Sequence, residues 1–185
     1  MDEYNELMNK LIETIKSKDS LENSSDYNIT GILPGQQLYY DIYIGPFHIT
    51  HHAIYLGNGK IFEGGIDSGT FRRLINSLLS PYVRIKSLEK FMERAKKFNS
   101  PVYIIKQEND AEKEEIINRF ERIKKILTDQ TFFHPLKLNC ERLANYISFN
   151  KKFSVQAELW KSTFYIMLII LLVAVFVAVY YKSKE

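Results

Sequence analysis

From 164 to 181 the chain reads FYIMLIILLVAVFVAVYY, 18 residues without a charge. As a helix rising 1.5 Å per residue, such a run is about 27 Å long, close to the hydrocarbon thickness of a bilayer. It is apolar on every side and so offers water no polar face. Trp160 and Tyr165 stand near one end, Tyr180 and Tyr181 at the other, as interfacial aromatics do. Lys161, Lys182 and Lys184 flank the run. A single-pass transmembrane helix over 162–182 is therefore expected. Few residues follow it, which reads as a tail anchor with the rest of the chain in the cytosol. The first residues are acidic and polar, without the basic and apolar regions of a signal peptide.

The remaining residues are enough for one domain with its own core. The formal charge is +3. Setting aside Lys161, Lys182, Lys184 and Glu185, 22 basic residues face 21 acidic ones, which gives no electrostatic footprint for nucleic acid. The short basic run at 94–97 reads as a solvated helix face. The single cysteine, Cys140, excludes an intrachain disulfide framework.

Hydrophobic periodicity divides the chain. Leu7, Met8, Leu11, Ile12 and Ile15 recur at helical spacing, so 3–16 is expected to be an amphipathic helix packed on the domain. Residues 17–31 are rich in Ser, Asp and Asn and read as a linker. The first 32 residues thus precede a domain over 33–155. Strands are expected at 37–44 and 50–56, then at 60–63 beyond Gly57-Asn58-Gly59, the strongest hairpin signal in the chain. Residues 75–79 fit strand or helix. A strand at 82–85, a helix at 88–98, a short strand at 102–106 and helices at 110–127 and 139–149 complete the pattern. The expected fold class is α+β, an antiparallel sheet packed with helices.

Cys140 lies beside Asn139, a plausible N-cap, so the thiol falls in the first turn of a helix. The helix dipole and unpaired N–H groups favour an anion there, which suits a thiolate nucleophile and an oxyanion. A cysteine nucleophile needs a base. The four histidines are His48, His51, His52 and His134. On a strand His48 and His52 share one face and His51 takes the other. A zinc site of His48, His51 and His52 lacks the second cysteine or distal histidine pair that would support it. Glu63 can orient the base. A two-residue loop sets Glu63 opposite Ile54 and on the face of His52; a three-residue loop sets it opposite Ala53 and on the face of His51.

His51-His52-Ala53-Ile54-Tyr55-Leu56-Gly57-Asn58-Gly59 resembles the His-Trp-Ala-Ile-Tyr-Val-Gly-Asp-Gly stretch of the lecithin retinol acyltransferase-like family. Leu33-Pro34-Gly35-Gln36-Gln37-Leu38 is similar to its Pro-Gly-Asp-Leu entry strand, and Asn139-Cys140-Glu141-Arg142-Leu143 to its Asn-Cys-Glu-His-Phe motif. The resemblance runs from Leu33 to the tail, with the motifs in the family's order. Glu63 stands where the family has a second histidine, Arg142 replaces the motif histidine, and His52 replaces tryptophan.

The resemblance implies a permuted papain-like core of the NlpC type, with Cys140 as nucleophile, His51 as base and Glu63 as third member. It favours the three-residue loop. It implies a phospholipase A or acyltransferase acting on glycerophospholipid esters through an acyl-thioester, with water, an amine or a lysolipid as acceptor. No metal or nucleotide cofactor is implied. A thiol amidase or peptidase of the same superfamily and an inactive membrane-tethered module are the alternatives.

Overall fold

The structure is a computed structural model describing residues 2–17, 31–44, 47–64, 83–110, 112–128 and 139–184. The ambiguous segment 75–79 and His134 lie outside the described residues. The described chain runs α1 (Asp2–Ser17), β1 (Gln37–Ile44), β2 (Phe47–Gly57), β3 (Lys60–Gly64), β4 (Val83–Ser87), α2 (Leu88–Lys97), β5 (Tyr103–Ile105), α3 (Lys113–Thr128), α4 (Cys140–Phe149) and α5 (Val155–Lys182). The strands form one antiparallel sheet in the order β4-β3-β2-β1-β5. The class is α+β.

The chain divides into two compact units, 1–153 and 154–185. In the first, strand alternation feeds two cores. Ile54, Leu56 and Phe62 point to one side of the sheet, against Met8, Leu11, Ile12 and Ile15 of α1, Phe120 and Ile123 of α3, and Leu143 and Ile147 of α4. The amphipathic α1 therefore buries its apolar stripe on the domain. Leu38, Tyr40, Ala53, Tyr55 and Ile61 point to the other side, against Leu88, Phe91 and Ala95 of α2.

The β2–β3 hairpin combines features of both loop lengths. Asn58 (φ 50°) and Gly59 (φ 66°) occupy the left-handed region, as a two-residue hairpin turn demands, and Gly57 pairs with Lys60. A bulge between Tyr55 and Gly57 then shifts the register by one residue. Ala53 consequently pairs with Glu63, the pairing expected of a three-residue loop. A one-residue slip would carry Glu63 to the opposite face.

A buried polar clamp holds the entry to β1. Arg119 of α3 is fully buried, yet all five of its N–H donors are engaged. Nη1 donates to Asp110 Oδ1 (2.8 Å) and Gly35 O (3.2 Å), Nη2 to Gln107 Oε1 (3.1 Å) and Asn109 Oδ1 (3.4 Å), and Nε to Glu115 Oε1 (3.2 Å). Asp110 Oδ2 accepts from Gln36 Nε2 at 2.8 Å. Gly35 has φ +86°, and a Cβ there would lie 3.2 Å from Arg119 Cδ. Gly35→Ala is therefore expected to cost about 1–3 kcal/mol through backbone strain and contact with the clamp, read as a lowered thermal midpoint. An unchanged midpoint would show that the turn relaxes freely.

The second unit is α5, capped by Ser154, whose Oγ accepts from Ala157 N–H at 3.1 Å. It begins several residues before the uncharged run and extends to Lys182. Its side chains from Phe164 to Tyr181 are exposed. The helix is long and apolar enough to cross a membrane.

Candidate active site

Asn139 caps α4. Its Oδ1 accepts from Arg142 N–H at 2.7 Å, and its own carbonyl accepts from Leu143 N–H at 2.9 Å. Cys140 is thus the first helical residue, at the positive end of the α4 dipole. Its thiol is partly exposed and donates to the main-chain oxygen of Thr50 at 3.6 Å.

Cys140 and His51 come from opposite sides of the sheet. Leu143 and Ile147 anchor α4 to the Ile54 side, whereas His51 shares a face with Ala53 and Tyr55. They meet because the β2–β3 pairing described here stops at Ala53. Before that point β2 pairs with β1 alone among the described strands, which leaves its other edge, with the Thr50 carbonyl, open to the start of α4.

His51 is buried, with the edge of Tyr40 at 5.4 Å and the ring of Phe91 at 5.8 Å, centroid to centroid. Its Nε2–H donates to Glu63 Oε2 at 3.0 Å. Nδ1 is the ring nitrogen that Glu63 leaves available, and the Cys140 thiol meets the carbonyl of Thr50, the residue before His51. Burial pulls the imidazole pKa down. The hydrogen bonds and charges of Cys140 and Glu63 outweigh burial and raise it from 6.5 to about 9. His51 therefore binds a proton tightly while it stays between these two partners.

Glu63 is 1% exposed. Three donors converge on it: His51 Nε2, Arg84 Nε on Oε1 at 3.1 Å, and Arg94 Nη2 on Oε2 at 2.5 Å. Burial would raise its pKa, but His51 and Arg94 hold it far below the usual carboxylate range. Glu63 is therefore a fixed anion that orients the imidazole.

The reading of 94–97 as a solvated face fails for Arg94, which is buried against Glu63 and lies 5.8 Å from the Phe91 ring centre. Lys96 and Lys97 are exposed as expected. The missed signal was helical spacing. Leu88, Phe91 and Ala95 form the buried stripe of α2, and Arg94 sits within it, three residues after Phe91. Arg84 enters through β4, where it pairs with Glu63. Nothing in the local sequence marks it.

His52 and His48 serve different partners. Gln37 Nε2–H donates to His52 Nδ1 at 2.9 Å, so the proton of a neutral His52 sits on Nε2, 2.8 Å from Thr50 Oγ1. Burial chiefly lowers its pKa from 6.5 to about 4. His48 pairs with Asp41 at 2.7 Å. These three imidazoles do not converge on one point, and among them His51 is the one bonded to Glu63.

His52 carries a pH consequence. Its folded pKa lies below its unfolded one, so its contribution to stability is complete above about pH 6.5 and declines as pH falls toward 4. Unfolding measurements in detergent micelles should show a loss on the order of 3 kcal/mol across that window, absent in His52→Gln. Identical acid limbs in the two proteins would assign the loss elsewhere.

The described surface carries clefts of about 710 Å³ and about 1000 Å³, neither lined by Cys140, His51 or Glu63. The fold and site together define an α+β protein with a Cys–His–Glu constellation and a helix able to span a membrane. Comparison of the chain with protein-family models, characterised proteins and solved structures finds no match.

Proposed function

We propose that the protein is a membrane-anchored cysteine enzyme, a phospholipase A or acyltransferase that handles glycerophospholipid acyl chains through a thioester on Cys140. The observation that carries this reading is the hydrogen bond of His51 to a buried, charged Glu63, with the Cys140 thiol on the carbonyl of the neighbouring Thr50. Three short motifs resembling the lecithin retinol acyltransferase-like family supply the lipid substrate class and the permuted papain-like core. A membrane span on the same chain suits a substrate that lies in the bilayer.

In the first step His51 Nδ1 takes the proton of Cys140 Sγ, and the sulfur bonds to the ester carbonyl carbon. The first-turn N–H groups of α4 face the developing oxyanion. The carbon–oxygen bond breaks, and His51 returns the proton to the departing lysolipid. Water, an amine or a lysolipid then attacks the thioester, with His51 again accepting a proton and delivering it to the sulfur.

Mass spectrometry of the full chain incubated with phosphatidylcholine vesicles tests this reading. One added acyl chain, labile to hydroxylamine and absent from Cys140→Ala, is the expected result. Lysolipid release should fall by about 10⁶-fold in that variant, as removal of a nucleophile does elsewhere. Folded protein giving neither adduct nor lysolipid would overturn the reading. A thiol amidase is the second reading, because Glu63 occupies the place of the family's second histidine. Cleavage of peptide amides without lipid turnover would select it. Identical behaviour of Cys140→Ala and the parent in both assays would leave an inactive tethered module.

A further inference from the structure

Gln37 of β1 is fully buried, and its side-chain amide joins three elements. Nε2 donates to His52 Nδ1 of β2 at 2.9 Å and to Asn145 Oδ1 of α4 at 3.2 Å. Asn145 Nδ2 donates in turn to the Phe153 carbonyl at 3.1 Å. At the other end the His52 ring meets Thr50 Oγ1 at 2.8 Å. One chain of hydrogen bonds thus runs from Phe153 to Thr50, through side chains that are all buried. Its direction follows from its first member. The Phe153 carbonyl only accepts, so Asn145 turns its nitrogen toward it and its oxygen toward Gln37. Gln37 must then present Nε2 to Asn145, and the same nitrogen gives its second proton to His52 Nδ1. A neutral His52 therefore donates from Nε2 to Thr50. Gln37 Oε1 is left without a partner among the described residues.

The helix that carries Cys140 has a use for such a chain. Leu143 and Ile147 pack α4 on the sheet by apolar contact, which has no preferred direction. Cys140 is its first residue and meets β2 at the Thr50 carbonyl, 3.6 Å away. Asn145, five residues further on, is bonded to Gln37. The relay therefore grips both sides of the thiol contact: α4 through Asn145, and Thr50 through His52. His52 takes the place of a motif tryptophan, and its ring is bonded at both nitrogens.

We propose that Gln37 and His52 are positioning residues for the Cys140 thiol: the relay holds the start of α4 and the edge of β2 in one register, which keeps Sγ at the Thr50 carbonyl, beside His51. Both residues act through others. A buried amide oxygen without a partner costs about 1–3 kcal/mol, so glutamine at this place fixes geometry at the expense of stability. Directional bonds are what apolar packing lacks, and a reacting group misplaced by about 1 Å can lose about 10²-fold in rate. The inference rests on the reading of Cys140 as the reacting thiol and is indifferent to which ester or amide it attacks.

The test follows alkylation of Cys140 by iodoacetamide, and lysolipid release, in the full chain in phosphatidylcholine nanodiscs. His52→Asn keeps a polar atom only at the place of Nδ1, and His52→Gln only at the place of Nε2, where it can still donate to Thr50. His52→Asn, confirmed folded by hydrogen exchange, is expected to lose about 10-fold in alkylation and about 10²-fold in lysolipid release. His52→Gln should recover most of both. Gln37→Leu, which nearly keeps the volume, should match His52→Asn and carries the comparison if the asparagine protein does not fold. Imidazole nitrogen shifts should place the His52 proton on Nε2 in the parent and show mixed tautomers in Gln37→Leu. Alkylation at the parent rate in His52→Asn and Gln37→Leu overturns the proposal, as does a loss in His52→Gln equal to that in His52→Asn. Slowed alkylation with no lysolipid from any form, the parent included, upholds the positioning role and removes the lipid reading. Lysolipid release unaffected by Cys140→Ala overturns the reading of the thiol itself.

Discussion

A Glu63→Gln protein is expected to lose roughly 3–5 kcal/mol of stability, and its His51 titration should move down from about 9. The carboxylate is buried and accepts hydrogen bonds from His51, Arg84 and Arg94. Glutamine has similar volume but no charge, so two guanidinium groups would lose their shared counter-ion in a poorly solvated place. His51 would keep its Cys140 partner and lose the second group that raises its pKa.

The signs of the pH dependence follow from linkage. The raised pKa of His51 gives stability that is complete below about pH 6.5 and is lost as pH rises through about 9. The depressed pKa of Glu63 gives stability present above about 4.5 and lost as pH falls. The glutamine variant should therefore flatten both limbs. Imidazole nitrogen shifts and denaturation across pH read the two effects separately. An unmoved His51 midpoint would mean that Glu63 orients the ring without stabilising its charge.

Arg119→Ala is expected to destabilise the domain by about 3–5 kcal/mol. The substitution takes the guanidinium from buried Asp110 and removes five hydrogen bonds, four of which tie the turn at Gly35 and the 107–110 loop to α3. Asp110→Asn alone should also cost stability. The double variant Arg119→Met, Asp110→Asn should cost less than the two single changes added together, since it leaves no lone buried charge. Additive costs would show that the two groups act independently. Because the clamp holds the chain entering β1, and β1 supports β2, slower closure of the 33–37 segment should appear in hydrogen exchange of the same variants.

Much of the local structure was legible from residue pattern. Aromatic and β-branched residues marked β1 and β2, and helical spacing marked α1 and α3, because each of those helices buries one stripe. Asn139 announced the start of α4 through side-chain chemistry that acts within three residues. The apolar run declared a helix of membrane-spanning length through hydropathy alone. The boundaries were less visible. The second strand extends to Phe47, and α5 starts at Val155, since neither end is marked by a change in hydrophobic period.

The sequence by itself brought forward Cys140, His51 and Glu63 as candidates and left the register between the last two open. Only tertiary structure decided that register, through a bulge that no local signal announces. It also decided that His51 reaches Cys140 across the edge of β2 while His52 turns to Gln37 and Thr50. Arg84, Arg94 and the Arg119 clamp became visible only there as well. The physical reason is that periodicity reports which face of an element is dry. Pairing of buried charges depends on which distant segments arrive at that face, and the linear pattern carries little record of that arrival.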